Sequence, residues 1–255
     1  MTESQRQPHC VLGSPTRLEK ARKIEVVLSR RRALKGARWL EIGSGAGIMA
    51  AAFAQMVGPN GEVIAVDIFD QREVFKGYRF VKVEDATLPF PNDSFDIVVS
   101  NHVMEHVGTV ADQLRHLREI NRVLAHGGVA YIAVPNRWRV IEPHFHLPFL
   151  SWLPPRVANL YVRLSGKGEW YDVVPPSSRR MERLLTETGF RWKDCTVEAA
   201  QVMAEVEPSV SRLTRRLLTA PEWVLRAGFG LVPSLIYVAV GTEGSPAKST
   251  RTRRS

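Results

Sequence analysis

Apolar residues recur along this chain with two periods. Short apolar runs at 38–42 (RWLEI), 62–66 (EVIAV), 78–83, 95–100 (FDIVVS) and 129–134 predict five strands, the last ended by Pro135. Between them lie stretches with helical spacing. Thr16 can cap a helix over 16–35 that turns Leu18, Ala21, Val27 and Leu28 to the core. A second helix spans 48–57. In a third, over 111–125, Leu114, Leu117, Ile120, Val123 and Leu124 form an apolar stripe between arginines, which reads as core packing. Ser177 or Ser178 opens another helix that carries Met181, Leu184 and Leu185 and closes at Gly189. Strands alternating with helices predict an α/β protein with a parallel sheet.

Chemistry enters at the first turn. The strand ending in Glu41 runs into Gly43, Gly45 and Gly47, and a helix follows directly. Glycine tolerates positive φ and lacks the Cβ that would hold a ligand away, and helix N-terminal amides favour electron-rich groups. Twenty residues past Gly47, Asp67 closes the second strand, where a carboxylate can accept from both hydroxyls of a ribose. Glu84 and Asp85 follow the third strand. The spacing is GxGxG, with Ile48 crowding the place where a dinucleotide loop receives a pyrophosphate, so a nucleoside without a diphosphate fits better than NAD.

Four segments in order carry a resemblance: Glu41 with the glycine loop, Asp67, EDATLPFPNDSFDIVVSNHVMEHV at 84–107, and REINRVLAHGGVAYIAVPN at 118–136, all built on the strand pattern above. Residues 38–136 resemble the core of a class I S-adenosylmethionine (SAM) dependent methyltransferase, of the broad group that includes quinone and small-molecule methyltransferases. The resemblance implies a Rossmann-like, doubly wound sheet of seven strands with an insertion after the fifth, and late strands near 192–197 and 235–240. It implies SAM as cofactor. Glu41, Gly43, Ser44, Gly45 and Gly47 would hold its methionine end, Asp67 and Ile68 the ribose, Asp85 with Ala86 the adenine edge, and Asn101 with His102 the floor of the site. Ala125 and His126 depart from the Lys-Pro that this group commonly has before the paired glycines, at a turn remote from the expected site.

With 255 residues, one large core with added substrate elements is expected. The division is a flexible lead over 1–15, a single domain over 16–243 and a basic, disordered tail over 244–255. Within the domain, the insertion occupies about 137–176 and the C-terminal part 177–243. Cys10 and Cys195 have no zinc-ligand spacing and neither reads as a nucleophile, which fits a reducing cytoplasm. The amino terminus lacks the apolar run of a signal peptide, and 223–240 is interrupted by Arg226, glycine and proline, so no membrane span is expected. The net charge of +9 is peripheral, concentrated in the tail and in Arg17, Lys20, Arg22, Lys23, Arg30, Arg31, Arg32 and Lys35. Three readings suit those charges: a solvated helix face, an anionic inner membrane surface, or nucleic acid.

The insertion combines Trp138, Phe145, Phe149, Leu150, Trp152 and Leu153 with several prolines and arginines. A lid over an apolar acceptor, a segment at a bilayer interface, and simple packing on the sheet all suit it. A basic and apolar pairing recurs in a helix with Arg212, Leu213, Arg215, Arg216, Leu217 and Leu218. Three histidines are base candidates: His106 just past the fourth strand, and His144 and His146 in the insertion. Imidazole titrates near neutrality and can take an acceptor's proton. His106 also suits helix packing, and the HxH pair suits local structure or substrate contact. Tyr171 and Asp172 are weaker pocket candidates. No third ligand accompanies the HxH pair, so no metal is expected. SNHV after the fourth strand replaces the (D/N/S)PPY of amino-group methyltransferases, and no Pro-Cys nucleophile is present, which disfavours nucleic-acid bases. The expected reaction is O- or C-methylation of a small or lipid-linked acceptor. The alternatives are a SAM-binding regulator without catalysis and an RNA ribose methyltransferase.

Overall fold

The computed structural model describes residues 14–142, 144–171, 173–207, 210–221, 224–225 and 232–241. Cys10, Asp172, Arg226 and the basic tail lie outside the described residues. Seven strands form one sheet: β1 (Arg38–Ile42), β2 (Glu62–Asp67), β3 (Arg79–Lys82), β4 (Phe95–Asn101), β5 (Leu124–Pro135), β6 (Phe190–Asp194) and β7 (Ser234–Gly241). Their order is β3-β2-β1-β4-β5-β7-β6. The first five are parallel, and β7 runs antiparallel to both β5 and β6. This is the doubly wound α/β sheet that the resemblance implied.

Period-two alternation divides the strand residues between two cores. Trp39, Ile97, Val99 and Tyr131 face one layer, with helices α1 (Ser14–Ser29), α2 (Ile48–Val57) and α6 (Thr196–Val206). Leu40, Ile42, Val98 and Ile132 face the other, with α3 (Val110–Val123) and α5 (Ser178–Glu187). Trp39 stacks on Phe53 with ring centroids 4.5 Å apart. Each such fully buried side chain contributes roughly 1.5–3 kcal/mol. Thr109 and Asp112 close a capping box at the start of α3, which sets that helix against the carboxyl end of β4.

Three element boundaries differ from expectation. Helix α1 starts before Thr16 and stops at Ser29, leaving Leu18 half exposed while Ile24 joins the core. The arginines beyond it are used as ties: Arg30 and Arg31 pair with Glu198 on α6, and Arg32 pairs with Asp96 on β4. Strand β5 begins at Leu124, directly after α3, and absorbs the 125–128 turn at its amino end, away from the carboxyl ends of the parallel strands. The late strand expected near 192–197 runs over Phe190–Asp194 instead, and helix α6 begins at Thr196, where Asp194 Oδ1 accepts from the Thr196 amide. The insertion folds on itself: a short 3-10 turn (Leu150–Trp152) leads to α4 (Pro155–Leu164), and Phe145, Leu150, Ala158 and Val162 make a separate small core.

His116 on α3 is buried and shares a hydrogen bond of 2.9 Å with the Ser100 hydroxyl. Burial disfavours its imidazolium and lowers its pKa from 6.5 to about 4, with Glu105 pulling weakly the other way. In the unfolded chain the same ring protonates near its ordinary value. Stability is therefore complete above that value and falls as pH drops toward the folded pKa, by about 2 kcal/mol at about pH 5. Urea midpoints at about pH 7 and pH 5 should show that loss in the wild type and a smaller one in His116→Gln; equal losses would clear His116.

Candidate active site

The carboxyl ends of β1, β2 and β4 open onto a cavity of about 1080 Å³. Open α/β sheets bind ligands at such strand ends because the loops there diverge to opposite faces. Gly43, Gly45, Asp67, Ile68, Asp85, Ala86, Asn101 and His102 all line it, and so do His106, His144 and His146. Residues from four strand ends and from the insertion thus converge, although they span a hundred positions of sequence.

Glu41, Ser44 and Gly47 do not line the cavity; they stand behind it. Glu41 is buried on the helix side of β1, and its Oε2 has no hydrogen-bond partner among the described residues. Burial drives its pKa well above the carboxylate range, Arg17 opposing and Asp67 reinforcing the shift. Ser44 is buried, with its hydroxyl likewise unpartnered among the described residues. At Gly47, where φ is 76°, an added Cβ would fall 2.0 Å from the Tyr78 hydroxyl and 2.6 Å from the Val74 carbonyl oxygen. Its glycine requirement comes from the protein, whereas the loop sequence suggested a ligand. The loop amides are also partly spent: Gly43 N and Ser44 N donate to Val66 O, and Gly45 N donates to Asp67 Oδ2 at 2.8 Å. Asp67 Oδ1 accepts from Phe69 N at 3.2 Å, so the carboxylate is held rigidly while lone pairs remain for hydroxyl donors.

His102 has φ 59° and His146 φ 51°, left-handed conformations that are uncommon outside glycine and that cluster where side chains must be aimed. Glu105, within a 3-10 turn (Met104–His106), is completely buried. His102 Nδ1 lies 3.3 Å from Glu105 Oε1 and His106 Nε2 lies 3.9 Å from it, neither aligned as a hydrogen bond. Burial works against the charge of Glu105, but His102 and then His106 outweigh it and hold the pKa below the ordinary value. His102 Nε2 also meets the Ser234 hydroxyl at 3.1 Å.

His144 carries the most defined geometry. Its Nδ1 is 2.7 Å from Glu142 Oε1, and Glu142 Oε2 accepts from the backbone amides of His144 at 2.8 Å and Phe145 at 2.7 Å. Glu142 is buried, and this set of donors holds it as an orienting carboxylate. The His144 ring meets His106 edge to face, centroids 5.0 Å apart. The HxH spacing marked the histidine, but its engagement with Glu142 two residues away needed the turn.

The aromatic side chains Trp138, Phe149 and Trp152 pack edge to face on the outside and do not line the cavity; the insertion contributes Arg139, His144 and His146. Apolar lining comes from α6 and β7, through Ala199, Ala200, Met203 and Ile236, and from Leu218 after the short helix α7 (Arg212–Leu217). Arg17, Lys20 and Lys23 of α1 face into the cavity as well, which removes them from any outer basic face. Arg30, Arg31 and Arg32 are held in ion pairs with Glu198 and Asp96.

Residues 16–192 match a family model described as a methyltransferase domain. Demethylmenaquinone methyltransferase of Staphylococcus aureus is 27% identical over 168 residues, which cover 61% of this chain and 68% of the relative. A crystal structure of an S-adenosylmethionine dependent methyltransferase from Mesorhizobium loti covers 87% of this chain and 99% of its own, at TM-score 0.56 and 15% identity. Phosphoethanolamine N-methyltransferase 2 of Haemonchus contortus, solved with S-adenosyl-L-methionine, covers 86% of this chain and 52% of its own, at TM-score 0.52 and 17% identity. The two structures establish likeness of fold.

Proposed function

This chain belongs to the methyltransferase-domain family and is a SAM-dependent methyltransferase, and from that premise we propose that it methylates an oxygen or carbon of a small or lipid-linked acceptor of quinone, polyketide, glycolipid or sugar type. The observation that carries the reading is the single cavity shared by the acids at the strand ends and the three histidines. The name of the Staphylococcus aureus relative supports a quinone within that range.

The donor set fits the cofactor. Asp67 and Asp85 offer carboxylates to a ribose diol and an adenine edge, Ile68, Val83 and Leu88 offer apolar contact to a base, and Gly43 and Gly45 leave the loop open at the cavity wall. SAM supplies an electrophilic methyl group on a sulfonium. Asp67, Ile68, Asp85, Ala86, Asn101 and His102 would bind and orient it, with Glu41 and Ser44 buried behind the loop. His144 takes the acceptor's proton at Nε2, because Nδ1 is committed to Glu142, and Glu142 stabilises the imidazolium that results. His106 orients the His144 ring, and His146 lines the entrance from the insertion. Alignment itself accounts for much of the barrier reduction, roughly 7–11 kcal/mol where the reacting atoms are held in contact.

A peripheral stance on an anionic inner membrane surface belongs to the same reading. Among the described residues no helix is long and apolar enough to cross a membrane. The outer face of the insertion exposes Trp138, Phe149 and Trp152, and α4 exposes Leu160 and Leu164 at 53% and 79%, with Arg156 and Arg163 on the same helix. Aromatic, aliphatic and cationic side chains together suit headgroup level. One experiment tests both parts: methyl-labelled SAM is incubated with the protein and phosphatidylglycerol vesicles that carry demethylmenaquinone or a glycolipid, and the vesicles are floated. Label in the lipid acceptor and protein in the floated band are expected. Protein left at the bottom would remove the membrane part, and no label on these or on soluble quinones, polyketides and sugars would remove the acceptor range.

A further inference from the structure

Four cationic side chains converge on one part of the cavity wall: Arg17, Lys20 and Lys23 from successive turns of α1, and Arg139 from the insertion. Lys23 is 9% exposed and makes no hydrogen bond or salt bridge to any described residue, and its flank of the cavity is apolar, formed by Ala199, Met203 and Ala204 of α6. An ammonium group in such a place is costly without an anion. Its neighbours make matters worse. Burial and then Lys20 lower the Lys23 pKa to about 8, with Glu207 alone opposing, and Lys20 is lowered by burial, Arg17 and Arg139. Glu142 faces Arg139, but both of its oxygens already accept from His144 and Phe145.

We infer that the acceptor is an amphipathic anion, whose carboxylate or phosphate is held by Lys20, Lys23 and Arg139 while its apolar body lies along α6 and β7. This deepens the methyltransferase reading, narrows its acceptor range to members that carry an anionic group in place of a neutral quinone or sugar, and rests on it for the role of the cavity. The same anionic chemistry could come from the cofactor's own α-carboxylate, a source that the test separates. Arg17, also on the cavity wall, acts on the Glu41 carboxyl and is left to the glycine-loop end of the site.

Octyl phosphate and octanol, each below its aggregation limit, are titrated calorimetrically into the protein saturated with S-adenosylhomocysteine. Octyl phosphate should bind at least about tenfold tighter than octanol. Lys23→Met should abolish that preference and leave the affinity for S-adenosylhomocysteine within about twofold. The methionine suits a buried apolar flank; if it does not fold, Lys20→Gln at a half-exposed position carries the same expectation. Equal binding of the two probes, failure of octyl phosphate to bind, or a variant that loses S-adenosylhomocysteine but keeps the preference would overturn the inference, the last by assigning the cations to the cofactor. Failure of the wild type to bind S-adenosylhomocysteine would instead strike the methyltransferase reading, and the probe preference would then be read on the protein alone.

Discussion

Replacing His144 by alanine lowers kcat for a hydroxyl acceptor by about 10²- to 10⁴-fold, the range by which a positioned base accelerates proton transfer, and leaves the binding of S-adenosylhomocysteine unchanged. The expectation rests on the Nδ1 contact of 2.7 Å to Glu142, which fixes the tautomer and turns Nε2 outward from the pair. Glu142→Gln keeps a hydrogen-bonding side chain but removes the charge that stabilises imidazolium. It should lower kcat less than the loss of the ring does, and should shift the acidic limb of the pH–rate profile downward, since the neighbouring charge that favoured the protonated ring is gone. His106→Ala, which removes only the edge-to-face neighbour at 5.0 Å, should cost less than either. Single-turnover rates across pH decide the ranking. A His144→Ala enzyme with an intact rate would remove it as the base, and a larger loss in His106→Ala would transfer the role to His106.

Asp67→Ala weakens S-adenosylhomocysteine binding by about tenfold to a hundredfold, since each hydrogen bond to a charged acceptor is worth roughly 1.5–3 kcal/mol and about 1.4 kcal/mol is a factor of ten. Asp67 also holds Gly45 N at 2.8 Å, so the alanine variant loosens the glycine loop as well. Asp67→Asn separates the two effects. It retains an acceptor for Gly45 N but turns a donor toward Phe69 N in place of Oδ1, so a thermal-stability loss smaller than that of the alanine variant should accompany a fall in affinity. Unchanged affinity by calorimetry in both variants would take Asp67 out of the site.

Much of this molecule follows from its local pattern. The parallel strands, α2, the glycine turn and the acid closing β2 were legible because each depends on residues within a few positions: period-two apolar runs, a helix start after glycine, a carboxylate at a strand end. The sheet of seven strands and its two late members came with the family resemblance, whereas the strand order and the reversal of β7 came from the tertiary structure. At Gly43, Gly45 and Asp67 that local reading and the cavity wall coincide. What the pattern left open was the direction in which an ambiguous side chain points. Lysine and arginine on a helix satisfy the same sequence whether they meet water, a membrane or a cavity; the packing of α1 against α6, nearly two hundred residues later, turned Lys20 and Lys23 inward. In the insertion, where three readings stood open, Phe145, Leu150 and Val162 found one another and left Trp138 and Trp152 on the outside. Glu41 and Gly47 were marked by the motif, yet only the contacts across β1, β2 and Tyr78 put them behind the wall. Sequence thus determined the elements and the chemistry they can bear, since those are set by neighbours along the chain. The tertiary structure alone decided which groups share the cavity and which His finds a carboxylate, since burial and charge depend on neighbours in space.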